Sequence, residues 1–93
     1  MMSQIPDGSK KVAKEDINKE ILRVGMIAEL DAINLYEQLA AVTDSKIIKE
    51  ILLDIAREEK THMGEFQTLL LRDDLEQVVE PEKGKKEVHD LIE

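Results

Sequence analysis

The sequence predicts an all-α protein: an antiparallel two-helix hairpin plus a short C-terminal helix, with two copies pairing into a four-helix bundle. Three observations predict this. Apolar residues recur at intervals of three and four rather than alternating, which is the period of a helix face and not of a strand. From Lys14 to Val42 there is no Pro, and the only Gly is Gly25. Thr43-Asp44-Ser45 then places three N-cap residue types in a row between two such stretches.

Residues 1–13 read as a disordered polar tail with Pro6, Gly8 and Ser9. Residues 14–80 read as the hairpin. Its first helix, from Lys14 to about Val42, carries one stripe through Leu22, Met26, Ile33, Tyr36 and Ala40. A second stripe on the same helix runs through Ile17, Ile21, Val24, Ala28, Leu35, Leu39 and Val42. The second helix, from Lys46 to about Leu71, carries a stripe through Ile48, Leu52, Ile55, Phe66 and Leu69. Ile47, Ile51, Leu53, Ala56, Met63 and Leu70 point in its other directions. Asp73-Asp74 can cap a further turn through Val79, and Pro81 and Gly84 are expected to break it. Residues 81–93 then read as a short helix or a linker.

Both long helices are apolar on more than one side, and that bears on assembly. A hairpin has one seam and buries one stripe per helix. The other stripes would remain in water at about 25 cal/mol for each exposed Å². A chain of 93 residues is also marginal as a lone fold. A second copy around a two-fold axis is the simplest way to cover the remaining faces.

Composition removes several classes of function. Thirteen Lys+Arg against 21 Asp+Glu give a net charge of -8. That sign opposes binding to nucleic acid or anionic membranes and suits a protein that attracts cations. With no cysteine there is no disulfide, Fe–S cluster, zinc thiolate or thiol nucleophile. Tyr36 and Phe66 are the only aromatics, too few for a base-stacking platform. No apolar leader and no run of about 18 apolar residues is visible, so a cytoplasmic protein is expected.

Three ionisable residues interrupt the apolar stripes. Glu29 fills the gap between Met26 and Ile33, and Glu59 and His62 fill the gap between Ile55 and Phe66. A buried carboxylate without a partner is costly, so such residues are usually paired or bound to metal. Their heights agree. Glu29 lies fifteen residues before Asp44 and Glu59 fifteen after it. At 1.5 Å per residue, each stands about 22 Å from the turn. His62 follows Glu59 by three positions and shares its face. One chain offers two glutamates and a histidine, and a two-fold axis doubles them to four and two. That is the ligand count of a carboxylate-bridged di-iron centre in a helical bundle, two irons per dimer. Oxygen and imidazole donors suit iron or manganese.

AELDAINLYEQLA (residues 28–40) followed by IAREEKTHMGEFQTLLL (residues 55–71) resembles the encapsulated ferritins, half-length relatives of the ferritin and rubrerythrin superfamily. The resemblance covers residues 14–80. In that family the first-helix Glu precedes the Glu-x-x-His pair by thirty residues, as Glu29 precedes Glu59 here. The resemblance implies a ferritin-like bundle with Glu29, Glu59 and His62 as iron ligands and Tyr36 beside the centre. It implies dimers assembled into a ring-shaped decamer, and ferroxidase activity that oxidises Fe(II) to Fe(III) with dioxygen. The iron would pass into an encapsulin nanocompartment for storage. Many members end in a short peptide with Gly-Ser-Leu that docks in the shell, whereas this chain ends EVHDLIE. Some relatives are fused ahead of the shell protein instead, so a link to the shell by fusion or association is expected, with a free-standing form as the alternative. The family's secondary acidic site is partly matched: Asp31 and Glu58 keep carboxylates, while Ala28 and Thr61 do not.

Plainer readings stand beside these. Glu58 lies four residues before His62 and Glu65 three after, so each competes for its face. The continuous stripe Leu52, Ile55, Glu59, His62, Phe66 favours Glu59. Glu58, Glu65 and Asp31 also read as solvated carboxylates, and Tyr36 as a core aromatic. Met26, Met63 and Phe66 read as packing residues, and His89 as a surface residue. Two rival functions follow. One is a rubrerythrin-like peroxidase, whose electron donor would be a separate protein because this chain has no cysteine. The other is a helical oligomerisation module in which the three residues form a metal-free polar network.

Overall fold

The computed structural model describes residues 14–93, with side chains from Asp16 onward. The expected tail, 1–13, lies outside the described residues. Three helices follow one another: α1 (Lys14–Val42), α2 (Lys46–Asp73) and α3 (Leu75–Ile92). There is no strand among the described residues, and none of the helices is long and apolar enough to cross a membrane.

The turn forms where the cap residues stand. Ser45 has extended backbone angles, φ -86 and ψ 118, and its side chain accepts from the Ile48 N–H. The Ser45 N–H in turn donates to Thr43 Oγ1 at 3.2 Å. These bonds satisfy donors that the helix start leaves open. The second corner turns on one residue. The Asp74 N–H donates to the Leu70 carbonyl and closes α2. Its Oδ1 accepts from the Gln77 N–H and opens α3. Its Oδ2 accepts from Arg23 of α1 at 2.7 Å, tying that corner to the first helix.

α1 and α2 pack along each other, while α3 has only a minor junction with α2. A hairpin of 29 residues is about 43 Å long and about 20 Å across. The molecule measures 48 × 44 × 19 Å, so α3 projects sideways from it. The radius of gyration of 16.8 Å exceeds the roughly 12 Å of a compact domain of this length.

The core is thin. Among the described residues Ile33, Ala40, Ala56 and Leu70 are the buried apolar ones. Ile33 and Ala40 lie on the predicted inner stripe of α1, with Leu22, Met26 and Tyr36 half-buried beside them. On α2 the predicted stripe turns inward only in part: Leu52, Ile55 and Phe66 are half-buried. Ala56 and Leu70 turn inward, whereas Ile48 and Leu69 of the expected stripe are 53% and 43% exposed. Leu70→Ala is expected to cost about 3 kcal/mol, because so small a core cannot close over the cavity. Chemical denaturation checks this through a lowered midpoint at unchanged slope.

Ile21, Leu35 and Leu39 of α1 and Ile51 and Leu69 of α2 remain at least two-fifths exposed. The helices run antiparallel, so these two off-centre stripes fall on one common flank of the hairpin. The other flank carries the Lys60–Glu37 ion pair at 3.1 Å.

The expected break at Pro81 and Gly84 is absent, because α3 runs through both. The missing N–H leaves the Gln77 carbonyl without its helical donor. Pro81 is exposed and α3 buries no residue, so water can serve that carbonyl. Gly25, inside α1, costs the helix about 1 kcal/mol relative to Ala. Its place is explained by space: a Cβ there would lie 3.0–3.1 Å from three ring carbons of Phe66.

Candidate metal centre

The hairpin brings Glu29, Glu59 and His62 together midway along its seam. One ligand atom from each lies within 4.8 Å of the others. His62 Nδ1 is 3.7 Å from Glu29 Oε2 and 3.7 Å from Glu59 Oε2. Both gaps are too long for hydrogen bonds. They match the spacing of atoms around one cation, since bonds of about 2.1 Å place neighbouring ligands roughly 3 to 4 Å apart.

Burial gives the group a direction. The side chains of Glu29 and Glu59 are 18% and 20% exposed, and that of His62 is 47% exposed. The carboxylates lie in the seam, and the imidazole stands at its open edge. Glu29 Oε2 is buried and has no hydrogen-bond partner. Burying an unsatisfied carboxylate oxygen costs more than one hydrogen bond returns. A cation between the three residues would satisfy it.

His62 opens towards the apolar flank. It lies eleven residues after Ile51 and seven before Leu69, both near whole numbers of helical turns. The surface that would cover the exposed stripe of α2 would therefore also cover the imidazole.

Of the other sequence candidates, Glu58 and Glu65 are exposed and Asp31 is half-buried, and none belongs to the trio. Tyr36 is half-buried on the inner stripe, seven residues beyond Glu29, about 10 Å along the axis. His89 is exposed on α3. Sequence reasoning gave no role to the Arg23–Asp74 pair, although Asp74 was readable as a cap, and none to Gly25. A glycine that lowers helix propensity inside a long helix was the available signal for a close approach.

A hairpin that offers Glu from one helix to Glu-x-x-His on the next has the fold and donor pattern of the ferritin-like carboxylate proteins. The chain belongs to the rubrerythrin family, whose pattern matches residues 20–91. Proteins of this family are generally di-iron enzymes. Over 82 residues the chain is 55% identical to a ferritin-like–encapsulin shell fusion protein of Pyrococcus furiosus. That match covers 88% of this chain and 24% of the relative. It is 38% identical over 68 residues to an encapsulin nanocompartment cargo protein of Myxococcus xanthus, covering 73% of this chain and 52% of that one. The chain thus spans about a quarter and about half of these relatives. The crystal structure of an encapsulated ferritin domain from Pyrococcus furiosus superposes with a TM-score of 0.85 at 48% identity, covering 98% of this chain and 95% of that one.

Proposed function

We propose that this protein is a ferroxidase: two copies close a di-iron centre between them, oxidise Fe(II) with dioxygen and supply iron for storage in an encapsulin compartment. The observation that carries this reading is the buried, unpartnered Glu29 Oε2 facing Glu59 and His62. Fe(II) is the substrate. Two ions give one electron each to dioxygen, which takes up two protons and leaves as hydrogen peroxide; reduction to two waters takes four ions and four protons. In each copy Glu29 and Glu59 would neutralise the incoming cations, and His62 would supply one nitrogen. The exposed edge at His62, continuous with the apolar flank, supports closure by a second copy rather than by α3.

We assign the metal-binding work to residues 14–80 and read 81–93 as a C-terminal helix or linker outside the site. Tyr36, about two turns along the seam from Glu29, is assigned a supporting role, and Asp31 and Glu58 are assigned to a secondary acidic stop for incoming cations. The encapsulin association is drawn from the two relatives whose names state it. A decameric ring inside a cytoplasmic compartment is the assembly this reading expects.

Anaerobic Fe(II) loading with mass measurement of the assembly tests this, followed by exposure to air with absorbance monitoring. The expected result is two Fe(II) per dimer and rapid formation of Fe(III) on aeration. Family membership also favours a second reading, the rubrerythrin-like peroxidase with an external electron donor. Turnover that requires peroxide and added reductant would select it. No iron uptake, with thermal stability equal in Fe(II) and in chelator, would leave only the non-enzymatic module.

A further inference from the structure

We propose that Gly25 is a positioning residue of the metal site, an inference that rests on the metal-site reading above. Gly25 precedes Glu29 by four residues on α1, and Phe66 follows His62 by four on α2. In antiparallel helices both steps run the same way along the hairpin. The Gly25–Phe66 layer therefore repeats the Glu29–His62 layer one turn further from the α1–α2 turn, about 6 Å away.

The contact is specific in shape. A Cβ on residue 25 would lie 3.0, 3.0 and 3.1 Å from Cε1, Cζ and Cε2 of the Phe66 ring. Near-equal distances to three consecutive ring atoms place it over the face of the ring, not at its edge. The ring thus occupies the space a side chain at 25 would take. Gly64 and Gly84 have nothing within 4 Å of such a Cβ, so neither is held by a contact of this kind.

The consequence reaches the site through the helix backbones. A methyl group at 25 needs a few tenths of an ångström more room than the ring leaves. Helices are stiff over one turn, so part of that displacement moves Glu29 away from His62 and Glu59. Glycine at 25 sets the gap across which the three ligand atoms stand within 4.8 Å. It does so against helix propensity, which would favour alanine there.

The two effects can be separated. Co(II) is titrated into the full-length protein and followed by its visible absorption, with the melting temperature of the metal-free protein measured alongside. Gly25→Ala is expected to weaken Co(II) binding by about tenfold or more, as for other losses of support around a metal site. The metal-free melting temperature should shift by no more than a few degrees, because the gain in helix propensity offsets the crowding against the ring. Adding Phe66→Leu, which removes the ring, should restore affinity to within about threefold. Unchanged affinity in Gly25→Ala, or a loss that Phe66→Leu does not restore, overturns the proposal. A wild-type protein that takes up no Co(II) overturns the metal-site reading itself. Wild-type uptake equalled by Gly25→Ala overturns only the role of Gly25.

Discussion

Glu29→Ala is expected to abolish iron oxidation, and Glu29→Leu is expected to do so while stabilising the metal-free protein. Both halves follow from one atom. Glu29 Oε2 is buried without a hydrogen bond, with only the His62 Nδ1 at 3.7 Å to offset its charge, so in the metal-free chain it is a cost and not a support. Replacing a buried, unpaired charge with an apolar group of similar volume is commonly stabilising. The side chain is 18% exposed, which softens the penalty, so a gain of about 1 kcal/mol is expected. For a chain of this size that raises the melting temperature by roughly 5 °C. Iron reverses the ranking. Wild-type protein should gain stability in proportion to the logarithm of free Fe(II), and the Leu variant should gain none. Calorimetry with and without anaerobic Fe(II), paired with oxidation rates, checks both. A metal-free Leu variant less stable than wild type would mean that Glu29 already has a satisfying partner.

Leu69→Glu is expected to dissociate the assembly and remove iron binding, although Leu69 is not a proposed ligand. Leu69 is 43% exposed and lies on the flank towards which His62 opens. If that flank is covered by a second copy, the carboxylate is carried into an apolar interface next to four glutamates. Each such burial without a partner costs several kcal/mol, and symmetry imposes it twice. The measured mass should fall to that of one chain. Lys60→Ala serves as the control, because its ion pair with Glu37 is exposed and lies on the opposite flank. Exposed pairs of this kind contribute about 0.5 kcal/mol, so its mass and iron content should be unchanged. A Leu69→Glu protein that keeps both its mass and its iron would reject closure on this flank.

Much of the site was legible because its signals are local and additive. Interruption of an apolar stripe by Glu29, equal distance from Asp44, and the three-residue step from Glu59 to His62 each need only helix geometry. Periodicity also separated Glu59 from Glu58, and the structure leaves Glu58 exposed outside the trio. The inner face of α2 was less legible. That helix is apolar in several directions, and periodicity cannot rank directions that are equally apolar. Ala56 and Leu70 are the residues this helix buries fully, and only the packed pair reveals this. Gly25 against Phe66 and Arg23 against Asp74 are contacts between residues 41 and 51 positions apart, beyond any local pattern. The continuity of α3 was misread for a related reason. A proline costs a helix one backbone bond and a clash with the carbonyl four residues before it, and on a helix that buries no residue water can take the freed carbonyl.

The position of Pro81 has a wider consequence. In α3 its missing donor loosens a turn that no other element uses as a ruler. α1 and α2 are used as rulers: residues 29 and 59 meet only because the helical runs 29–42 and 46–59, equal in length on either side of the turn, have the same rise. A kink anywhere in those two runs would slide one carboxylate past the other and leave each helix intact. The hairpin therefore tolerates a change of side chain far more readily than a change of pitch.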